Sequence, residues 1–335
     1  MTQNPYPRLV ELARQVNVPD ELCDVTPATD RDELAKVVAA NRPILEEVRG
    51  CLTSECSVPV RYEKDYRDEH LSDIRDIRHL ARAIFMAGNL DQIDQQWADA
   101  VQAGIDLLWL GCVTRRGGLG LDMLVATALT GCGMDILRKV RAQLDQTQRS
   151  QLIAVLPQVE GAIEPLEVID ARERDWEIAV EYEEEPFDVD QWLEELEQDE
   201  SLTEEERQTV RSHMMEKLEN LGGDETVGIQ LSQLEIDRRF AAKFRMLTID
   251  LALRTYHRAM DEYPHKLEKL ATTVLPEVPL DPFTGKPFLY HWMPHDFQLS
   301  SPGPTGVDSK VLGPWPMVSQ GRANLCLDEG DFYEE

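Results

Sequence analysis

Apolar positions recur at three- and four-residue steps through most of this chain. From Asp68 onward, Leu71, Ile74, Ile77, Leu80, Ala81, Ile84 and Phe85 mark one face of a helix. Gly88-Asn89 reads as its glycine stop. A second helix follows through Ile93, Trp97, Ala100, Val101, Ile105, Leu108 and Leu110, so the two make an antiparallel hairpin with a short connection. A third, Leu121 to Val140, carries small residues (Ala126, Ala128, Gly131, Gly133) that let a neighbouring helix approach closely. A fourth is expected from about Gln148 to Leu156, stopping at Pro157. The first ~60 residues are more broken. Leu9, Leu12, Ala13 and Val16 form a short face ending at Asn17-Val18-Pro19, and Thr29 or Asp30 can cap a helix through Leu34, Val37 and Val38. Pro43 restarts a turn through Ile44, Leu45 and Val48, and Val58, Val60 and Tyr62 alternate in an extended segment, SVPVRYEKDY.

The longest helical pattern runs from about Ile229 to Tyr263, with Leu231, Leu234, Phe240, Phe244, Leu247, Leu251, Ala252, Tyr256 and Ala259 on one side. It would span on the order of 50 Å. Tyr263-Pro264 stops it, and Leu267 and Leu270 belong to a short helical turn. Asp281-Pro282-Phe283-Thr284-Gly285 is a tight turn, with Asp281 as side-chain cap and Gly285 where positive φ is needed. Pro287 to Trp292 and Phe297 to Ser300 then alternate as strands around Met293-Pro294-His295-Asp296. So small a sheet is unstable alone and must pack on the long helix. The expected fold is mainly α: antiparallel helical hairpins, then a long helix with a small C-terminal antiparallel sheet.

Charge adds a further segment. The net charge is −29 over 335 residues, and 27 acidic against 5 basic residues lie between Glu160 and Asp237. The organisation read from this is a helical body over 1–160, an acidic, partly ordered helical insertion over 161–228, the long helix with its sheet over 229–312, and an acidic tail over 313–335. Within the insertion, Ser201 with Glu204, or Thr203 with Glu206, makes a capping box, and Gly222-Gly223 closes the helix. Val210, Met214, Leu218 and Leu221 give that helix an apolar stripe. Either the insertion is a solvated stretch whose few apolar residues dock on the body, or it is an acidic arm for a basic partner. So acidic a surface disfavours nucleic acid and anionic membranes. No signal peptide and no run of 18 apolar residues is visible, so no membrane insertion is expected.

Three resemblances emerge. The hairpin AGNLDQIDQQWADAVQAGIDL resembles a tetratricopeptide unit (TPR-like). More broadly, residues 31–157 resemble an uncharacterised family of helical proteins common in planctomycete-type bacteria. The lead-in PVRYEKDY, then LSDIRDIRHLARAI, the turn GNLDQ and the helix TALTGCGMDIL carry this likeness. Members commonly have an N-terminal membrane anchor, which does not appear in this sequence. The order Tyr-Pro, Leu-x-x-Leu, Leu-Pro-x-x-Pro-Leu-Asp-Pro, Gly-x-Pro-Phe-x-Tyr, Phe-x-Leu-x-Ser-x-Gly and Gly-x-Asp, over about residues 240–308, resembles the globular part of type II secretion pseudopilins. That resemblance implies a final loop able to hold calcium. Of its acidic positions only Asp308 matches, with Ser309 and Lys310 following, whereas calcium takes six to eight oxygens. The pilin anchor, an apolar helix with its processing glycine, is also missing.

No residue is assigned to catalysis, a cofactor or a metal. Arg115-Arg116-Gly117-Gly118-Leu119-Gly120 has the glycines of a phosphate loop. It lacks the preceding strand and the following Lys-Ser/Thr, and reads as a helix connection. His291 and His295 have ligand spacing for a helix but flank a turn between strands, with no third ligand nearby. Cys23, Cys112, Cys132 and Cys326 are isolated; Cys51 and Cys56 are close enough to bridge, and the reading is of reduced thiols. Asp328, Glu329, Asp331, Glu334 and Glu335 are read as a frayed tail. No G-x-S-x-G, H-E-x-x-H, Walker loop or dinucleotide fingerprint occurs. The reading is a non-enzymatic interaction or scaffold protein with a protein partner of basic character. The alternatives are a soluble derivative of a pilin-like envelope component, and an enzyme with an unrecognised carboxylate site. As given, the chain reads as cytoplasmic; a missing N-terminal anchor would place it at the cell envelope.

Overall fold

A computed structural model describes residues 4–19, 31–180 and 225–328, with backbone alone over 225–232. Its helices are α1 (Tyr6–Ala13), α2 (Arg31–Arg49), α3 (Tyr66–Ile93), α4 (Trp97–Arg115), α5 (Gly120–Val140), α6 (Gln146–Ala162), α7 (Leu166–Val180) and α8 (Glu225–Met260). Strands β1 (Leu289–Trp292) and β2 (Phe297–Ser300) and a short helix α9 (Trp315–Ser319) follow. The protein is mainly helical, with one small antiparallel sheet whose register pairs Leu289 with Ser300 and Trp292 with Phe297.

A helix that is apolar all round has no face to give to water and goes to the centre. That helix is α4, with Leu107, Leu108, Leu110 and Val113 fully buried. It pairs antiparallel with α3 before it and α5 after it. In the second pair Gly104 lies against Gly133 and Leu137, and Gly111 against Ala126 and Thr130. A Cβ on Gly133 would stand 2.8 Å from the Gly104 carbonyl oxygen, so the small residues of α5 set this close approach. By length and composition α5 could also cross a membrane, but here Met123, Ala126, Leu129 and Leu137 are buried in the protein.

Three expected breaks are not breaks. Helix α3 runs through Gly88-Asn89 to Ile93. Gly88 serves packing instead, since a Cβ there would meet Ile136 Cδ1 at 2.6 Å and Ala103 Cβ at 3.0 Å. The chain turns at 94–96, where Gln95 has φ of 57°. Helix α2 passes through Pro43 and α6 through Pro157. Each proline removes one backbone donor, but Leu152, Leu156 and Val159 around Pro157, and Leu45 and Val48 beyond Pro43, are buried. Their burial outweighs the local penalty. Helix α6 starts at a capping box in which Asp145 Oδ1 accepts from the Gln148 amide at 2.8 Å and Gln148 Oε1 from the Asp145 amide at 2.9 Å. Residues 57–64, read as extended, form no strand.

One apolar core continues from Tyr6 to Leu327. Helix α8 is described over Glu225–Met260, and its C-terminal half supplies Phe244, Met246, Leu247, Ile249, Leu251 and Leu253, all essentially inaccessible. The sheet docks on the end of α8: Tyr290 donates its hydroxyl to the Pro264 carbonyl and Trp292 its indole N–H to that of Tyr263. The Asp281 turn forms as expected, with Asp281 Oδ1 accepting from the Phe283 amide and Gly285 at φ of 67°. Residues 166–180, assigned to the insertion, form a helix that buries Leu166, Ile169 and Trp176. Residues 313–328, assigned to the tail, bury Val318, Ala323 and Leu325, and Asp328 pairs with Arg141 at 2.6 Å. The insertion residues 181–224, including the capping boxes of Ser201 and Thr203, and the acids of 329–335 lie outside the described residues.

The α4–α5 contact makes a paired prediction. Gly133→Ala should destabilise by about 1–3 kcal/mol, because its Cβ meets fixed backbone. Gly131→Ala, two residues away and 3.7 Å from the nearest atom, should stabilise by about 0.5–1 kcal/mol through reduced backbone entropy of the unfolded chain. Denaturant midpoints of both variants check it; equal effects would contradict the close approach.

Candidate functional site

The glycine-rich connection between α4 and α5 is pinned by side chains. Its amides donate to carboxylates: Gly117 to Glu164 Oε2 at 3.1 Å, Leu119 to Asp122 Oδ2 at 2.8 Å and Gly120 to Glu173 Oε2 at 2.6 Å. Arg172 holds Glu164 with both terminal nitrogens and also donates to the Gly118 carbonyl. The amides a phosphate would need are thus already given to carboxylates, which would also repel it. Arg115 makes a two-pronged pair with Asp237 of α8 at 2.9 and 2.7 Å and donates Nε to the Glu164 carbonyl. Arg116 reaches the carbonyls of Thr53, Ser54 and Cys56.

Behind this connection lies the most developed polar cluster. His70 occupies the buried face of α3, four residues before Ile74, and Asp122 the first turn of α5. His70 Nε2 donates to Asp122 Oδ1 at 2.7 Å, and Asp73 Oδ2 stands 3.8 Å from Nδ1. Burial alone would lower the imidazole pKa, but the hydrogen bond to Asp122 and the nearby Asp73 outweigh it and lift it to about 9, so His70 is a cation at neutral pH. The Tyr66 ring stacks on it at 5.0 Å. His70, Tyr66 and Asp73, with Tyr6, Val10 and Glu11 of α1, line a groove of about 520 Å³ that also carries Arg14, Arg61 and Glu69. Arg14 is taken up by Asp73 and Asp76, and Arg61 by Glu63 and Glu69. The hydroxyls of Tyr6 and Tyr66 are buried and have no hydrogen-bond partner. Burial, first, and the Asp122 and Asp73 charges raise both phenol pKa values, so both keep their protons. A smaller cleft of about 60 Å³ between α2, α3 and α4 holds Asp91, whose carboxyl is pushed up to about 6 by burial and by Asp99.

The residues weighed from sequence lie apart from this groove. His291 is on β1 and His295 in the turn after it, and both are exposed. Among the described residues no group of three or more His, Cys, Asp or Glu could hold a metal ion. Asp308 accepts from Asn324 Nδ2 at 2.9 Å and pairs with the Lys310 ammonium, which hold its pKa down at about 2. Cys51 and Cys56 are buried free thiols, and burial pushes the Cys56 thiol up to about 12, so it is inert as a nucleophile. Sequence reasoning missed His70, Asp122, Tyr6 and Tyr66. The available signal was a histidine in line with Ile74 and Ile77 on an otherwise apolar helix face.

Compared with known proteins, the chain matches no family model, no curated protein and no solved structure.

The His70 pair sets a pH dependence. Its folded pKa lies above the ordinary 6.5, so its stabilisation is complete below about pH 6.5 and is lost as pH rises through about 9. Wild type should therefore lose on the order of 1–3 kcal/mol relative to His70→Gln between those limits. Thermal melts of the two proteins across the range check this; parallel curves would contradict a cationic His70.

Proposed function

We propose that this chain is a non-enzymatic interaction protein whose helical body presents the acidic stretch 181–224 to a basic protein partner. One observation carries the reading: the stretch leaves and rejoins the body at two helices that are both anchored on it. On the leaving side, Trp176 and Val180 of α7 pack with Tyr66 and Leu119. On the returning side, Asp237 of α8 is clamped by Arg115, and Leu234 packs beside Met123, Leu166 and Ile169. The stretch 181–224 holds 17 acidic and 3 basic residues. Charge of one sign at that density attracts a basic surface over about a Debye length and gives way to salt. Inside the body the ionised groups are spent on one another, as with Arg141, Asp250 and Arg254.

The test is isothermal titration of the full chain with a lysine- and arginine-rich peptide. Binding should weaken steeply as salt is raised, and by about tenfold or more when Glu183, Glu184, Glu185, Glu194, Glu195 and Glu197 are changed together to Gln. Absence of binding at low salt, or equal affinity of the variant with an unchanged melting temperature, would overturn the reading.

A further inference from the structure

We infer that the cleft between the start of α6 and the end of α8 binds a small phosphate monoester, held by the guanidinium groups of Arg149 and Arg258. The site is independent of the acidic stretch. Its volume, about 270 Å³, is close to the lower end of the range for small-molecule sites. Gln146, Arg149, Tyr256, Arg258, Met260 and Val274 are among its walls, and no described residue lining it is acidic. In a chain of net charge −29 this sets it apart from the groove at α1 and the cleft at Asp91, both lined by acids.

Arg149 is buried, at 6% exposure, without a carboxylate partner. Its Nε and Nη2 donate to the Leu144 carbonyl and its Nη1 to that of Arg254. A guanidinium has five N–H donors, so these three bonds leave donors to spare. Elsewhere in the body an enclosed arginine meets an acid, as Arg115 meets Asp237 and Arg141 meets Asp250. Here burial, first, and the Arg258 and Arg254 charges hold the Arg149 pKa below the ordinary arginine value, against weaker opposing effects of Asp145 and Tyr263. Arg254 is matched by Asp250, and Asp145 caps α6 by accepting from the Gln148 amide. Arg258 forms no ion pair among the described residues. Two guanidinium groups thus share an acid-free cleft with their repulsion unrelieved.

The group that relieves both at once carries more than one negative charge and several acceptor oxygens. A phosphate monoester does so, whereas a carboxylate brings a single charge. Gln146 is the first residue of α6, so the positive end of that helix adjoins the site. Arg258 stands in the last turn of α8, whose negative end subtracts about half a charge and leaves the balance positive. Tyr256, Met260 and Val274 give apolar wall to the organic part of the ester. Acids farther off than a Debye length, about 8 Å at physiological salt, are largely screened.

The experiment titrates phenyl phosphate, inorganic phosphate and phenol separately into the full chain by calorimetry, up to about 10 mM at about 0.15 M salt. Phenyl phosphate is expected to bind saturably and more tightly than inorganic phosphate, and phenol to give no response. Arg258→Gln, at an exposed position, should keep the melting temperature and lower phenyl phosphate affinity at least about tenfold. Thr273→Glu, which sets a carboxylate on the cleft wall, should lower it likewise and serves should Arg258→Gln fail to fold. Arg78→Gln, an exposed arginine of α3 outside the cleft, should leave the affinity unchanged. No saturable binding of phenyl phosphate, inorganic phosphate binding as tightly, a comparable response to phenol, or an equal loss in Arg78→Gln would overturn the proposal.

Discussion

Four peptide units between α4 and α5 must turn the chain inside the protein, and this constraint governs what surrounds them. A buried turn carries amides and carbonyls that no helix or sheet satisfies. Here Glu164, Asp122 and Glu173 accept from the amides of Gly117, Leu119 and Gly120. Those carboxylates need cations in turn: Arg172 holds Glu164 and Arg67 pairs with Glu173. The other oxygen of Asp122 accepts a hydrogen bond from His70 Nε2. Through this chain of pairs one short turn fixes α3, α5 and α7 together, and Arg115 at its start adds α8 through Asp237.

This arrangement explains how so acidic a chain keeps an ordered body. Three buried acids of the body stand beside an arginine or histidine: Asp106 beside Arg49, Asp250 beside Arg141 and Arg254, Asp122 beside His70. Such pairs specify geometry more than they add stability, since desolvation offsets much of the attraction. The stretch between α7 and α8 concentrates about half of the chain's excess negative charge, with 17 acidic against 3 basic residues over 181–224.

Periodicity made the helices, the long spine and the two strands legible. Leu231 to Ala259 and Leu289 to Ser300 carry unambiguous steps of 3.6 and 2. The helix ends were not legible, because local rules and packing disagree there. Gly88, Pro43 and Pro157 are strong local stops, yet burial of their neighbours carries the helix past each. Trp176 and Leu325 sit in acidic or turn-rich stretches, and only partners distant in sequence, such as the Arg61 carbonyl for the Trp176 indole, reveal them as core. For the same reason His70 and Asp122 did not stand out. They are 52 residues apart, each unremarkable alone, and chemistry appears only when α3 and α5 are set side by side.

The claim that carboxylates hold the α4–α5 turn is tested most directly by native-state hydrogen exchange at its amides. Gly117, Leu119 and Gly120 should exchange as slowly as neighbouring amides of α4, although they lie at a turn, because their opening requires the body to open. Exchange at the rate of an exposed loop, with α4 still protected, would contradict the account.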